Sequence, residues 1–190
     1  AAMHIRAYRK IDGVAVAAIC DLDPERLKGD FTEISGNIDA DEPVKLDMTV
    51  VKAYQDFNDL LADESIDAID ICTPTRTHLR MTKPALASGK HVICEKPLAR
   101  SVAEAREIVE ATAQAKGHFM VGMCLRFWPQ WAWLKEAVDS GRYGKVQAAH
   151  FQRIAEPPAW GQAIYFDGET SGGALFDLHV HDTDFVQHVF

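Results

Sequence analysis

Two groups of residues in this chain have the types and spacing to do chemistry. The first is Glu95-Lys96-Pro97, which follows the apolar stretch His91-Val92-Ile93-Cys94 without a break. A carboxylate and an ammonium at the end of a buried strand can orient a ligand and polarise its oxygen. Pro97 fixes φ and lacks an amide donor, so the chain must leave the strand sharply there. Taken alone, a Glu-Lys pair beside a turn is more often ordinary surface. The second group is Asp177, His181, Asp184 and His188, spaced 4, 3 and 4 apart. On one helix, at about 100° per residue, all four fall within roughly a 60° sector. They interrupt a helix otherwise covered by Leu175, Leu178, Phe185, Val186 and Val189. Gly172 and Gly173, just before, allow the backbone to approach a ligand or another strand closely. Three readings fit this stripe: a solvated helix face, a metal site, or an acid–base pair in which Asp177 orients and charges His181. Spacing alone leaves them open.

The elements that must position these residues read as alternating strands and helices. Ala1–Lys10 is the body of a helix. Val14–Cys20 is a continuous apolar run, the pattern of a strand buried on both faces of a parallel sheet. It ends at Asp21-Leu22-Asp23-Pro24, with Asp23 suited to capping and Pro24 to the first turn of a helix. Gly29–Met48 reads as a long loop, an insertion. Ala53-Tyr54 is a minimal strand, and Asp56 caps a short helix to Ala62. Ile66–Cys72 is a second apolar strand, ending in Thr73-Pro74-Thr75, with a helix to about Ser88. The strand His91–Cys94 comes next, then a helix over Val102–Ala115 with Ser101 as its N-cap. His118–Cys124 is a further strand, and Arg126-Phe127-Trp128-Pro129 leads into a helix reaching Ser140. This alternation predicts an α/β fold with a parallel, doubly wound sheet. Ligands of such sheets bind at the carboxyl ends of the strands, where Glu95 and Lys96 fall. After a turn over Gly141–Gly144, Val146–Ile154 alternates as a strand of a different sheet would. A boundary near Gly144 gives two domains, 1–144 and 145–190.

Composition narrows the partners. With 190 residues and 47% hydrophobic content, the chain suffices for one full domain and part of another. A net charge of −8 argues against nucleic acid or an anionic membrane. No apolar run reaches bilayer length, and no basic-then-apolar signal opens the chain. Cys20, Cys72, Cys94 and Cys124 lack CxxC spacing, and three sit near the ends of apolar strands. They read as small buried hydrophobes in a reducing compartment, without disulfides, which points to a cytoplasmic protein.

Taken together, Thr73-Pro74 after one strand, Glu95-Lys96-Pro97 after the next, and Gly172-Gly173 with Asp177, His181 and Asp184 downstream resemble the glucose–fructose oxidoreductase/inositol dehydrogenase family (Gfo/Idh/MocA). That resemblance implies an N-terminal Rossmann domain binding NAD or NADP. It also implies a C-terminal α+β domain with an open, mostly antiparallel sheet, through which such chains form dimers or tetramers. The implied reaction is hydride transfer between the nicotinamide and a hydroxyl or keto carbon of a sugar, cyclitol or related polyol. Position by position, Lys96 matches the family's active-site lysine, and Asp177 and His181 match its acid–base pair. His181 would take the hydroxyl proton, while Lys96 would hydrogen-bond the same oxygen and stabilise developing negative charge. Asp184 matches a position near the substrate, and Arg126 and Trp160 fall where the family places pocket contacts. The resemblance puts the cofactor against Thr73, Pro74, Glu95 and Lys96, with Ala1 at the third glycine position of the phosphate-binding turn. Asp21 lies 20 residues beyond Ala1, close to the separation expected for the acid that binds the adenosine ribose hydroxyls. An acid there repels a 2′-phosphate, so NAD is favoured over NADP. No metal is implied.

Two other classes compete: a non-catalytic ligand-binding or regulatory member of the same fold, and a metal-dependent hydrolase built on the 177–188 stripe. Retention of Lys96, Asp177 and His181 speaks against the first, and the family's metal-free acid–base pair against the second. In the strand order 3-2-1-4-5-6 the first strand lies between the second and the fourth. Val14–Cys20 reads as the second and Ile66–Cys72 as the fourth, with no first strand ahead of them. The expectation is a segment of a longer protein, lacking about ten residues of strand and phosphate-binding loop at its start. A slot or an intervening element should then separate those two strands, and direct pairing between them would refute the register.

Overall fold

The computed structural model describes residues 1–32, 43–154, 156 and 166–190. Helix α1 (Ala2–Tyr8) precedes strand β1 (Ala18–Cys20), which pairs in parallel with β2 (Lys52–Tyr54). Helix α2 (Phe57–Ala62) follows, its N-cap Asp56 accepting a hydrogen bond from the Asn58 amide. A second parallel sheet runs in the order β3 (Ala68–Ile71), β4 (His91–Cys94), β5 (Phe119–Val121). Its crossovers are α3 (His78–Ala87) and α4 (Val102–Gln114), which pack against each other. Ser101 caps α4 through the Glu104 amide, as its place in the sequence predicts. After β5 come α5 (Pro129–Asp139), then α6 (Gly168–Ser171), α7 (Gly173–Asp177) and α8 (His179–Val189).

Burial explains the register. In β3 and β4 alternate residues point inward, so Ile69, Ile71, Val92 and Cys94 are buried with Leu60, Ile66, Ala85 and Leu86. Ala18, Cys20 and Tyr54 of the other sheet pack on the same cluster. The two sheets therefore share a core although no ladder joins β1 to β3. Lys90 is buried at the entry to β4, and its ammonium donates to the carbonyls of Asp63 (2.7 Å) and Ile66 (2.8 Å). A separate cluster holds the end of the chain. Leu125, Phe185 and Val189 are buried there, flanked by Trp131, Leu134, Val138 and Phe151. Phe185 and Val189 lie four apart on α8, with Asp182 three residues before Phe185, a buried stripe at helical spacing.

Several expectations are corrected. The Val14–Cys20 strand shrinks to three residues, because its ladder extends only as far as β2, and Val14 is 46% exposed. Pro24 leads into a single 3₁₀ turn, Arg26–Lys28, in place of a helix. Val146–Ile154 forms no strand, and among the described residues no strand follows β5. The antiparallel sheet expected there is thus not seen. Residues 33–42 of the 29–48 loop lie outside the described residues. All four cysteines are free. Among the described residues no helix is long and apolar enough to cross a membrane.

Candidate active site

The ladder of β4 carries Glu95 and Lys96 to the carboxyl edge of the sheet, where the Glu95 amide still donates to the Ile71 carbonyl (3.0 Å). Glu95 then turns back, its carboxylate accepting from the Lys96 amide (2.9 Å). Pro97 removes the next donor, and the Lys96 side chain reaches across to Asp177. Its ammonium donates at 2.8 Å to the Asp177 carboxylate and at 2.8 Å to the Asp177 carbonyl, with both side chains 18% exposed.

That second bond exists because the helix breaks. Asp177 closes α7, Leu178 (φ −103°, ψ −51°) is at once the C-cap of α7 and the N-cap of α8, and α8 starts at His179. The last carbonyls of a helix have no partner inside it, and a lysine is well suited to bind one. The single helical stripe expected from the 4-3-4 spacing is therefore divided: Asp177 ends one helix, and His181, Asp184 and His188 belong to the next. The paired glycines serve the chain's handedness. Gly172 and Gly173 have φ of 81° and 69°, values that residues with a Cβ rarely adopt. A Cβ on Gly172 would also meet Phe176 at 2.7 Å.

His181 has a different character from the one expected. Its Nδ1 is buried without a hydrogen-bond partner, so Asp177 does not orient the ring through that atom. Burial, followed by the charges of Lys96 and Arg153, pushes the imidazole below its ordinary pKa, against weaker upward pulls from Glu95 and Asp177. That shift favours the neutral ring, which can accept a proton, where the sequence suggests a charged one. Two cations acting on it also disfavour the metal reading of the stripe.

Other acids near this helix are paired. Arg126, in the 3₁₀ turn Cys124–Phe127, makes a two-pronged contact with Asp184 (Nε–Oδ2 2.8 Å, Nη2–Oδ1 2.5 Å). Arg153 grips the buried Asp182 in the same way (2.7–3.0 Å). Sequence reading missed this second pair, and its only signal was an acid adjacent to His181 on a face that helical periodicity turns inward. His188 packs beside Phe185, with ring centroids 6.3 Å apart. Trp160 lies outside the described residues.

On the cofactor side, Asp21 follows β1 directly and its amide donates to the Tyr54 carbonyl (3.2 Å). Its carboxylate accepts from the Asp23 amide (2.9 Å) and, more loosely, from Arg26 (3.3 Å). Asp23 in turn accepts from the Glu25 amide, a local turn bond in place of the helix cap expected of it, since the 3₁₀ turn that follows has Glu25 at its N-cap and no side-chain cap. Thr73, just past β3, shares a hydroxyl contact of 2.6 Å with Thr77, and Pro74 is exposed. Ala1 opens α1, its carbonyl accepting from the Ile5 amide.

A network the sequence did not reveal joins α1 to this edge. His4 lies between two carboxylates, with Nδ1 2.8 Å from Asp70 and Nε2 3.0 Å from Glu95, and Tyr8 donates to Asp70 (2.9 Å). Hydrogen bonds to Asp70, Cys72 and Glu95 push the His4 pKa up to about 12, against the effect of burial. Burial also raises Asp70 and Glu95, and the His4 bond and charge more than reverse it, leaving both lowered. Ligand atoms of His4, Asp70 and Cys72 lie within 4.8 Å of one another. A doubly protonated ring has no lone pair for a cation, so the cluster acts as an ion network.

Known proteins resemble this chain in sequence and fold. Residues 1–123 match the profile of the Gfo/Idh/MocA oxidoreductases, described as an NAD-binding Rossmann fold, and residues 131–190 match the profile of a Gfo/Idh/MocA C-terminal domain. A myo-inositol 2-dehydrogenase of Thermotoga maritima is 31% identical over 188 residues, which is 98% of this chain and 51% of that protein. An inositol 2-dehydrogenase of Rhodococcus jostii is 30% identical over 171 residues, 87% of this chain and 44% of that one. The crystal structure of a probable dehydrogenase from Thermotoga maritima superposes with a TM-score of 0.75 at 28% identity, covering 98% of this chain and 51% of that one. Apo scyllo-inositol dehydrogenase from Lactobacillus casei gives 0.72 at 26% identity, covering 98% and 49%. The chain thus spans about half the length of the relatives it matches. With the two profiles together matching residues 1–123 and 131–190, the chain belongs to the Gfo/Idh/MocA oxidoreductase family.

Proposed function

We propose that the protein interconverts a hydroxyl and a ketone on a cyclitol, sugar or related polyol, with NAD as redox partner. One observation carries the reading: a lysine ammonium fixed on Asp177 acts on a half-buried histidine whose pKa is lowered and whose buried Nδ1 is unused. His181 accepts the proton of the substrate hydroxyl during oxidation and returns it during reduction. Lys96 donates to the same oxygen and stabilises the negative charge that grows there. Asp177 holds the ammonium in place. Arg126 and Asp184, already locked together, offer both a donor and an acceptor to neighbouring hydroxyls.

The residues present suit the cofactor. The Asp21 carboxylate accepts from the Asp23 amide through Oδ1 and only loosely from the half-exposed Arg26 through Oδ2, which leaves lone pairs to accept from ribose hydroxyls. Ala1, Thr73, Pro74 and the Glu95–Lys96 turn complete the set that would hold NAD. When bound, the nicotinamide supplies the hydride acceptor. A 2′-phosphate would meet the charge of Asp21, which favours NAD over NADP. On this reading 1–144 is the cofactor domain, and 145–190 begins the domain that completes the substrate site and an oligomer.

The test is a panel of inositols, sugars and sugar acids offered with NAD, following NADH by absorbance. NADH formed with at least one polyol, and lost in Lys96→Ala, supports the reading. Tight polyol binding without turnover at any pH points instead to the non-catalytic class.

A further inference from the structure

We propose that His78 is a positioning residue for this site, the side chain that fixes the Thr73–Pro74 turn against the Lys96–Pro97 turn; the inference rests on the functional reading given above. The ladder between β3 and β4 pairs Ile71 with Cys94 and closes at the bond from the Glu95 amide to the Ile71 carbonyl. Past that point the two chains carry the residues assigned to cofactor and substrate. Among the described residues, no backbone hydrogen bond joins 72–77 to 96–100.

His78 takes over where the ladder stops. It is the first residue of α3 and 0% exposed. Its Nδ1 lies 2.9 Å from the Pro97 carbonyl oxygen and 3.3 Å from that of Leu98. Its Nε2 lies 2.9 Å from the Thr73 carbonyl oxygen. Imidazole carries its two nitrogens on opposite sides of a rigid ring, and here both face carbonyl oxygens, which only accept, so holding the two turns at once takes an N–H on each nitrogen. The Thr73 side is braced further: the Thr77 hydroxyl donates to the Pro74 carbonyl (2.8 Å) and meets the Thr73 hydroxyl at 2.6 Å. A histidine buried against main-chain oxygens acts on geometry and not on proton transfer. The geometry matters because Lys96 must reach both Asp177 and the reacting oxygen, and small displacements at such positions are costly.

The ring can be cut one link at a time. An asparagine amide nitrogen approximates the position of Nδ1, and a glutamine amide nitrogen that of Nε2. His78→Gln keeps the Thr73 link and frees Pro97, so kcat should fall about tenfold with the cofactor KM nearly unchanged. His78→Asn keeps the Pro97 link and frees Thr73, so the cofactor KM should rise about tenfold with kcat nearly unchanged. Tenfold corresponds to one buried hydrogen bond. His78→Phe keeps the ring volume, cuts both links and should show both losses. Hydrogen exchange of the whole enzyme, read by mass spectrometry, should quicken in 73–77 for the Asn variant and in 96–100 for the Gln variant. A pure packing role predicts a His78→Phe enzyme close to wild type. That result, or Asn and Gln variants that cannot be told apart in kinetics and exchange, overturns the proposal. A wild-type protein that forms no NADH from any polyol overturns the functional reading instead, and the exchange pattern then decides the link by itself.

Discussion

Replacing Lys96 by methionine separates the roles of the three central residues. The change keeps most of the aliphatic stem and deletes the donor of two 2.8 Å hydrogen bonds to Asp177. Both side chains are 18% exposed, so solvent screens the pair only in part. A hydrogen bond to a charged group contributes about 1.5–3 kcal/mol, so a denaturation cycle with Asp177→Asn should return a coupling of about 2 kcal/mol. The loss in turnover should be larger, about 10²–10⁴-fold or roughly 3–5 kcal/mol of barrier, because it also removes the donor to the reacting oxygen. Asp177 works through Lys96. Asp177→Asn alone should therefore cost about tenfold, and the double variant should be no slower than Lys96→Met. The pH profile gives an independent check. His181 must be neutral to accept a proton, and its pKa is lowered by burial and then by Lys96. The acid limb of kcat/KM for oxidation should thus lie below the ordinary histidine value, and Lys96→Met should move it upward. Initial rates at saturating NAD, from about pH 5 to about pH 9, read both effects. Additive losses in the double variant, or an acid limb that stays put or moves down in Lys96→Met, would refute the reasoning.

Three further expectations follow from the packing and the charges. Phe185→Ala should destabilise the protein by about 3–5 kcal/mol in urea unfolding, since the ring is fully buried with Trp131 edge-on at 4.6 Å; a loss under about 1 kcal/mol would deny it the anchoring role. Asp21→Ser should shift cofactor choice toward NADP, and equal kcat/KM for both cofactors in the unmutated enzyme would remove the basis for that claim. His4 keeps its proton in the folded state up to about pH 12 but loses it near 6.5 when unfolded. Its stabilisation is therefore complete below 6.5 and declines as pH rises toward 12, by up to about 1.4 kcal/mol per unit. The stability gap between wild type and His4→Gln should narrow from pH 7 to pH 9, and a constant gap would show that His4 is not held as an ion.

Much of this was legible because local rules and tertiary context agree. Strand β4, the Ser101 and Asp56 caps and the placement of Lys96 at a strand's carboxyl edge follow from apolar runs and N-cap chemistry. What failed depended on partners distant in sequence. The Val14–Cys20 run has the composition of a long strand, yet its length is set by β2. The 177–188 stripe assumed one continuous helix, and helical spacing cannot reveal that a lysine 81 residues earlier stabilises a break at Leu178. The charge state of His181 likewise depends on Lys96 and Arg153, neither of which its own helix supplies. His4 and His78 stood unread because a histidine's role is fixed by what faces its two nitrogens, and those partners come from other elements.

Three long-range ion pairs described at the end of the chain share a direction. Lys96, Arg126 and Arg153 come from earlier elements, and they meet Asp177, Asp184 and Asp182 across 81, 58 and 29 residues. The final helices thus contribute the acids and the rest of the chain the bases, so the site is assembled by long-range docking and not by any one element. Contacts of that separation form late and are among the first to open, since each must offset the entropy of closing its loop. The parallel sheets, with their own apolar core, do not depend on that docking. On the proposed function, partial opening would stop turnover while the sheets stay folded, which would make catalytic competence a reporter of whether the last helix is seated.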